Sequence, residues 1–178
     1  MPAPTTFLLD KGIVRGAFEA TVRLVAGRPP TDDQLQAISV YQALLTAGRR
    51  VGVTPEAVHA ARRRDERIAA VLLDPLVTLT PGRYLRRWAR RLREHGITRE
   101  DALVIAYASF GLNTASRTLG AAAVVTLDRG LIKQYREQEA VLSVRFHRMV
   151  SHLKPPYQQA VLPRLLSPSE TLALLSEA

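Results

Sequence analysis

Asp10 and Asp128 occupy the same kind of place in this sequence. Each closes a short apolar run, Thr6-Phe-Leu-Leu-Asp10 and Ala121-Ala-Ala-Val-Val-Thr-Leu-Asp128, and each is followed directly by a helical pattern. In a parallel α/β sheet, functional groups gather at the carboxyl ends of the strands. If both runs are central strands, the two carboxylates meet at one rim. Asp101, in the first turn of a helix opened by Thr98, can face the same rim. Clustered carboxylates repel one another and persist where a cation neutralises them. Hard oxygen ligands of this kind select Mg²⁺ or Mn²⁺ rather than zinc. Each acid has a structural reading as well: Asp10 and Asp128 can serve as N-caps, and Asp101 can complete a capping box with Thr98. Their joint placement, with apolar strands before two of them, is what favours a site.

The elements that must position these acids alternate between strand and helix. Strand-like runs fall at residues 6–10, 50–54, 76–80, 121–128 and 160–166, the last an edge strand because Pro163 has no N–H for a ladder. Between them, Thr31-Asp-Asp-Gln34 opens a helix to Thr46, ended by Gly48. Thr54-Pro55 opens one from Glu56 past Arg67. Further helices are expected over 83–95, 98–110, 129–139 and 171–177, while 141–157 reads as irregular or helical. The fold class this implies is α/β, a mostly parallel sheet of about 4–5 strands with helices on both faces.

The 178 residues are enough for one domain, 1–178, with a sizeable core. There is no cysteine, which excludes disulfides, thiolate zinc sites and cysteine nucleophiles. Met1–Asp10 lacks the basic and apolar regions of a signal peptide, and no apolar run approaches the roughly 20 residues of a membrane span. A cytoplasmic protein without a membrane partner is the expectation. The formal net charge is +9, and all but Lys11, Lys133 and Lys154 of the 25 cations are Arg. Arg donates two parallel hydrogen bonds to phosphate, so a nucleic-acid partner is expected, with an Arg-for-Lys compositional bias as the bland alternative.

Several segments together resemble the PIN-domain nucleases, which include toxins of bacterial toxin–antitoxin pairs. Phe7-Leu-Leu-Asp10 with Gly12-Ile-Val-Arg15 looks like their opening strand and helix. Arg99-Glu-Asp101-Ala-Leu-Val-Ile-Ala-Tyr-Ala108 resembles the helix that carries a third acid. Val124-Val-Thr-Leu-Asp128-Arg-Gly-Leu131 is the most specific match, and Arg164-Leu-Leu-Ser-Pro168-Ser-Glu-Thr-Leu172 is similar to the closing strand and helix. The resemblance spans nearly the whole chain and implies a PIN-like three-layer fold. It also implies metal-assisted phosphodiester hydrolysis in RNA, with Asp10, Asp101 and Asp128 as catalytic and metal-binding acids. A cognate antitoxin protein and a homodimer are the further partners it implies. One departure stands out. PIN nucleases typically carry another acid, usually Glu, about a turn into the helix after the second strand, where this chain has His59 or Ala60. Glu56 lies one turn early; it is a further metal-ligand candidate, or simply a first-turn acid on the helix dipole. Thr126 can orient a water or support the ligands, or be an ordinary β-branched strand residue.

Arg83, Arg86, Arg87, Arg90 and Arg91 fall at helical spacing and form one stripe, either a phosphate-binding surface or a solvated face. Leu85, Trp88 and Leu92 lie opposite and are expected in the core. Arg62-Arg-Arg64 with Arg67 makes a second cationic cluster. His147 and His152 are isolated, and no Gly-rich phosphate loop occurs. Three functions compete: a PIN-type endoribonuclease, a non-catalytic PIN-like nucleic-acid-binding or regulatory module, and a phosphatase-like metal enzyme sharing the acid rim by convergence.

Overall fold

The computed structural model describes residues 6–113 and 119–177, so the first five residues of the Met1–Asp10 stretch lie outside the described residues. The chain forms strand β1 (Thr6–Leu9), helices α1 (Lys11–Val25) and α2 (Asp32–Thr46), and strand β2 (Arg50–Val53). Helices α3 (Pro55–Arg62) and α4 (Glu66–Leu73) follow, then strands β3 (Val77–Thr78) and β4 (Thr80–Pro81). Next come α5 (Leu85–Arg93), α6 (Arg99–Phe110), β5 (Gly111–Leu112) and β6 (Ala123–Val125). The long helix α7 (Arg129–Val150), a short 3₁₀ turn (Tyr157–Gln159), β7 (Arg164–Leu166) and α8 (Pro168–Ser176) close the described chain.

Five strands make one all-parallel sheet in the order β3-β2-β1-β6-β7, so β1 and β6 are neighbours and lie away from either edge. Alternation along the strands sends side chains to two cores. Leu8, Val124 and Leu165 face α5, α6 and α7, while Phe7, Leu9, Val51, Val53, Val125 and Leu166 face α1 to α4 and α8. This is the three-layer α/β arrangement expected from the sequence, with strands apolar on both faces because both are covered. Among the described residues no helix is long and apolar enough to cross a membrane.

Local chemistry accounts for most boundaries. Thr31 with Gln34 and Ser167 with Glu170 form complete capping boxes, and Thr54 caps α3 ahead of Pro55. Gly16 lets α1 and α2 approach closely, since a Cβ there would stand 2.7 Å from that of Ala37. Leu85, Trp88 and Leu92 are buried on the inner side of α5 as expected, Trp88 completely.

Two expectations change, and one reading left open is settled. The single helix from Glu56 past Arg67 is two helices, because the Asp65 carboxylate accepts the amides of Arg67 (2.9 Å) and Ile68 (3.1 Å) and so starts α4 anew. The run 76–80 gives only a two-residue parallel strand, after which β4 pairs antiparallel with β5 in a separate small sheet. Finally, α7 continues to Val150 well beyond Glu139, carried by Leu142, Phe146 and Val150 on its buried face.

Candidate functional site

The parallel pairing of β1 with β6 brings the two strand-end acids to the same rim. The ladder runs on past the strands, the Asp10 N–H donating to Val125 O at 3.0 Å. Thr126 is fully buried between the acids. Its hydroxyl donates to Asp10 Oδ2 at 2.9 Å and accepts the Asp128 N–H at 3.1 Å. This β-branched strand residue therefore also links the two acids directly.

Asp10, Asp101, Asp128 and Glu56 line one cleft of about 700 Å³ at the carboxyl ends of β1, β2 and β6. The first turns of α6 line the same cleft through Arg99, Glu100, Asp101, Leu103 and Val104, and the Asp101 charge acts on Asp10. Glu56 and His59 are both exposed on α3, and only Glu56 is among the cleft residues.

The capping roles divide the acids. Asp10 stands at the N-cap of α1 without a full side-chain cap bond; its carboxylate accepts the Thr126 hydroxyl and is further favoured by the nearby amides of Lys11 and Gly12. Asp128 does cap α7, Oδ1 accepting the Leu131 N–H at 2.8 Å. For α6 the cap is Thr98, whose hydroxyl accepts the Asp101 N–H (3.3 Å) and donates to Asp101 Oδ2 (2.5 Å). Asp101 and Asp128 thus engage one carboxylate oxygen with their own helices, leaving the second for a ligand.

Burial pushes the Asp10 carboxyl above its ordinary pKa. The Thr126 hydroxyl and the amides of Lys11 and Gly12 oppose that rise, while the negative charge of Asp101 adds to it. A cation in the cleft would relieve both unfavourable contributions, and carboxylate oxygens suit a hard divalent ion in kind. Even so, among the described residues no three carboxylates or imidazoles stand close enough together to form a ready metal cage.

The arginine stripe is shorter than its sequence spacing suggests. Arg83 precedes α5, with its N–H on the Tyr157 hydroxyl (3.2 Å) and its guanidinium 5.6 Å from the Tyr84 ring centre. Arg91 is half-buried and bonded to Glu94 (3.2 Å), which Arg145 also holds (3.0 Å). Arg86, Arg87 and Arg90 remain exposed. The cleft contains cations that their sequence positions did not single out, namely Lys11, Arg15 and Arg99. It also contains Tyr107, which shares a helical stripe with Glu100, Leu103 and Val104 on α6. Projecting that helix from Asp101 onward is the signal that would have found it.

Comparison of the chain with protein-family models and with curated proteins finds no match.

Proposed function

We propose that this chain is a Mg²⁺- or Mn²⁺-dependent endoribonuclease of PIN type, with Asp10, Asp101 and Asp128 as its working acids. The observation that carries this reading is the meeting of the three aspartates and Glu56 in one cleft at the ends of central parallel strands. The chain order supports it too: a strand and acid, then an acid at the start of a mid-chain helix, then a strand ending Thr-Leu-Asp.

Asp10 and Asp128, with Asp101 in the same cleft, would hold the ion, which when bound lowers the pKa of a water and polarises the scissile phosphate. Thr126 fixes the Asp10 carboxylate, and Thr98 fixes that of Asp101. Lys11, Arg15 and Arg99 offset phosphate charge within the cleft, and Arg86, Arg87 and Arg90 extend the basic surface to the backbone outside it. A cognate antitoxin, a homodimer and a cytoplasmic setting belong to this proposal on the PIN resemblance alone.

The test is incubation of purified protein with single-stranded RNA and Mn²⁺, beside Asp10→Asn. Cleavage that disappears in the variant supports the reading. If no divalent metal gives cleavage of RNA, the enzyme is removed. A second reading, a degenerate PIN-like module that binds nucleic acid without cutting it, is favoured by one observation: the acids share a cleft without converging into a cage. Tight RNA binding without cleavage would select it.

A further inference from the structure

Tyr84 and Tyr157 meet at the start of α5, their rings edge to face with centroids 5.0 Å apart. Tyr84 also leans on Phe110 at 6.1 Å, which anchors the pair on the core, yet both tyrosines stay partly exposed. The exposed Arg83 lays its guanidinium over the Tyr84 ring, 5.6 Å from the centroid. Its backbone N–H donates to the Tyr157 hydroxyl at 3.2 Å, which ties the two tyrosines and the arginine together. Gly82 fits this corner because it lacks a Cβ, which would overlap the Phe110 carbonyl and stand 3.4 Å from Tyr157 Cε1. The start of α5 therefore packs on the end of α6, while residues 94–98 join the end of α5 to the start of α6. The two helices run antiparallel. Arg86, Arg87 and Arg90 thus step along α5 from the tyrosines toward the end of α6 that carries Asp101. All three are exposed, with no hydrogen bond or ion pair among the described residues.

We propose that Tyr84, Tyr157 and Arg83 form a stacking platform for one unpaired base of an RNA strand whose backbone lies along α5. The proposal rests on the ribonuclease reading and deepens it. Single strands are held by this combination, cations along the backbone and aromatic faces under the bases. Guanidinium planes stack on bases as well, so Arg83 can lift from Tyr84 and close on the far face of the base. From Asp101 to Phe110 the helix spans about 14 Å, or about four nucleotide steps at the roughly 3.4 Å per charge of a stacked strand. The platform therefore holds a base remote from the bond to be cut. It governs how a strand is gripped rather than the chemistry at the acids.

The test compares two fluorescein-labelled strands of equal length and charge by anisotropy in EDTA. One is a mixed-sequence single-stranded RNA, the other its abasic ribose-phosphate counterpart, so the ratio of affinities reports what the bases contribute. Tyr84→Leu removes the aromatic face and keeps an apolar side chain against Phe110; thermal unfolding checks the fold. It is expected to weaken RNA binding roughly tenfold and abasic binding by less than about twofold. With Mn²⁺ the loss is expected in KM more than in kcat. Tyr84→Phe keeps the ring and is expected to restore the ratio. Arg83→Gln, a change to an exposed side chain, is expected to lower the ratio about threefold. If wild type binds and cuts RNA while Tyr84→Leu leaves the ratio unchanged, the platform is wrong and the ribonuclease reading stands. The platform is equally wrong if Tyr84→Phe lowers the ratio as much as Tyr84→Leu. If Tyr84→Leu fails to fold, Arg83→Gln decides: a threefold fall keeps the platform and an unchanged ratio removes it. If wild type binds RNA without cutting it, the same ratios decide the platform, and the nuclease alone is lost. If wild type neither binds nor cuts, both fall.

Discussion

Replacing Thr126 with Val keeps the shape of a fully buried side chain and removes the hydroxyl that joins Asp10 to Asp128. Two interactions disappear. A hydrogen bond to a carboxylate contributes about 1.5–3 kcal/mol, and the partly exposed Asp10 places it near the lower end. The Asp128 N–H loses its acceptor, at a cost of about 1 kcal/mol. The expected loss is therefore about 2–3 kcal/mol, a fall in Tm of roughly 5–10 °C for a domain of this size. Denaturant titration at several pH values is the assay. The Thr126 bond favours ionised Asp10, so its loss raises a pKa already lifted by burial above the ordinary 3.8. The stability gap between wild type and variant is thus full above the folded-state pKa of Asp10. It narrows as pH falls through that value, where Asp10 is protonated in both proteins. A gap under about 0.5 kcal/mol at neutral pH, or one unchanged by acid, would refute the bridging role.

Asp10→Asn is expected to abolish Mn²⁺-dependent cleavage while raising thermal stability at neutral pH. The folded-state pKa of Asp10 is raised, so its ionisation opposes folding as pH climbs through the window between the unfolded and folded values. A melting temperature at or below wild type, measured by calorimetry at pH 7, would contradict that sign. Arg86→Glu combined with Arg90→Glu should weaken RNA binding and flatten its salt dependence, by about 0.7 in the log–log slope for each phosphate no longer neutralised. Unchanged affinity at low salt would remove α5 from the RNA surface.

The strand-to-helix position of Asp10 and Asp128 was legible because both strands are apolar on both faces and end in a charged residue. Their closeness was not, since it depends on β1 pairing with β6 across more than a hundred residues. The same long-range pairing turns Thr126 from a generic strand residue into the link between the acids. Asp65 shows the limit of helical periodicity: its capping bonds to Arg67 and Ile68 end one helix and begin another within an unbroken polar run. Val141 and Val144 on the outside of α7 hid that helix's continuation, because their exposed apolar side chains blur the stripe. Tyr107 was missed for a different reason: a tyrosine among small apolar residues reads as core, which its ring is, and only the cleft reveals the hydroxyl.

Asp10, Asp101 and Asp128 are proposed to contribute to one divalent-metal site. Anomalous diffraction from crystals soaked in Mn²⁺ tests it directly. The expected result is a Mn²⁺ peak in the cleft with oxygen ligands from Asp10 and at least one of the other two aspartates. That peak should be absent from Asp10→Asn crystals soaked in the same way. A cleft without anomalous density at millimolar Mn²⁺, or a peak bound only outside these acids, would contradict it.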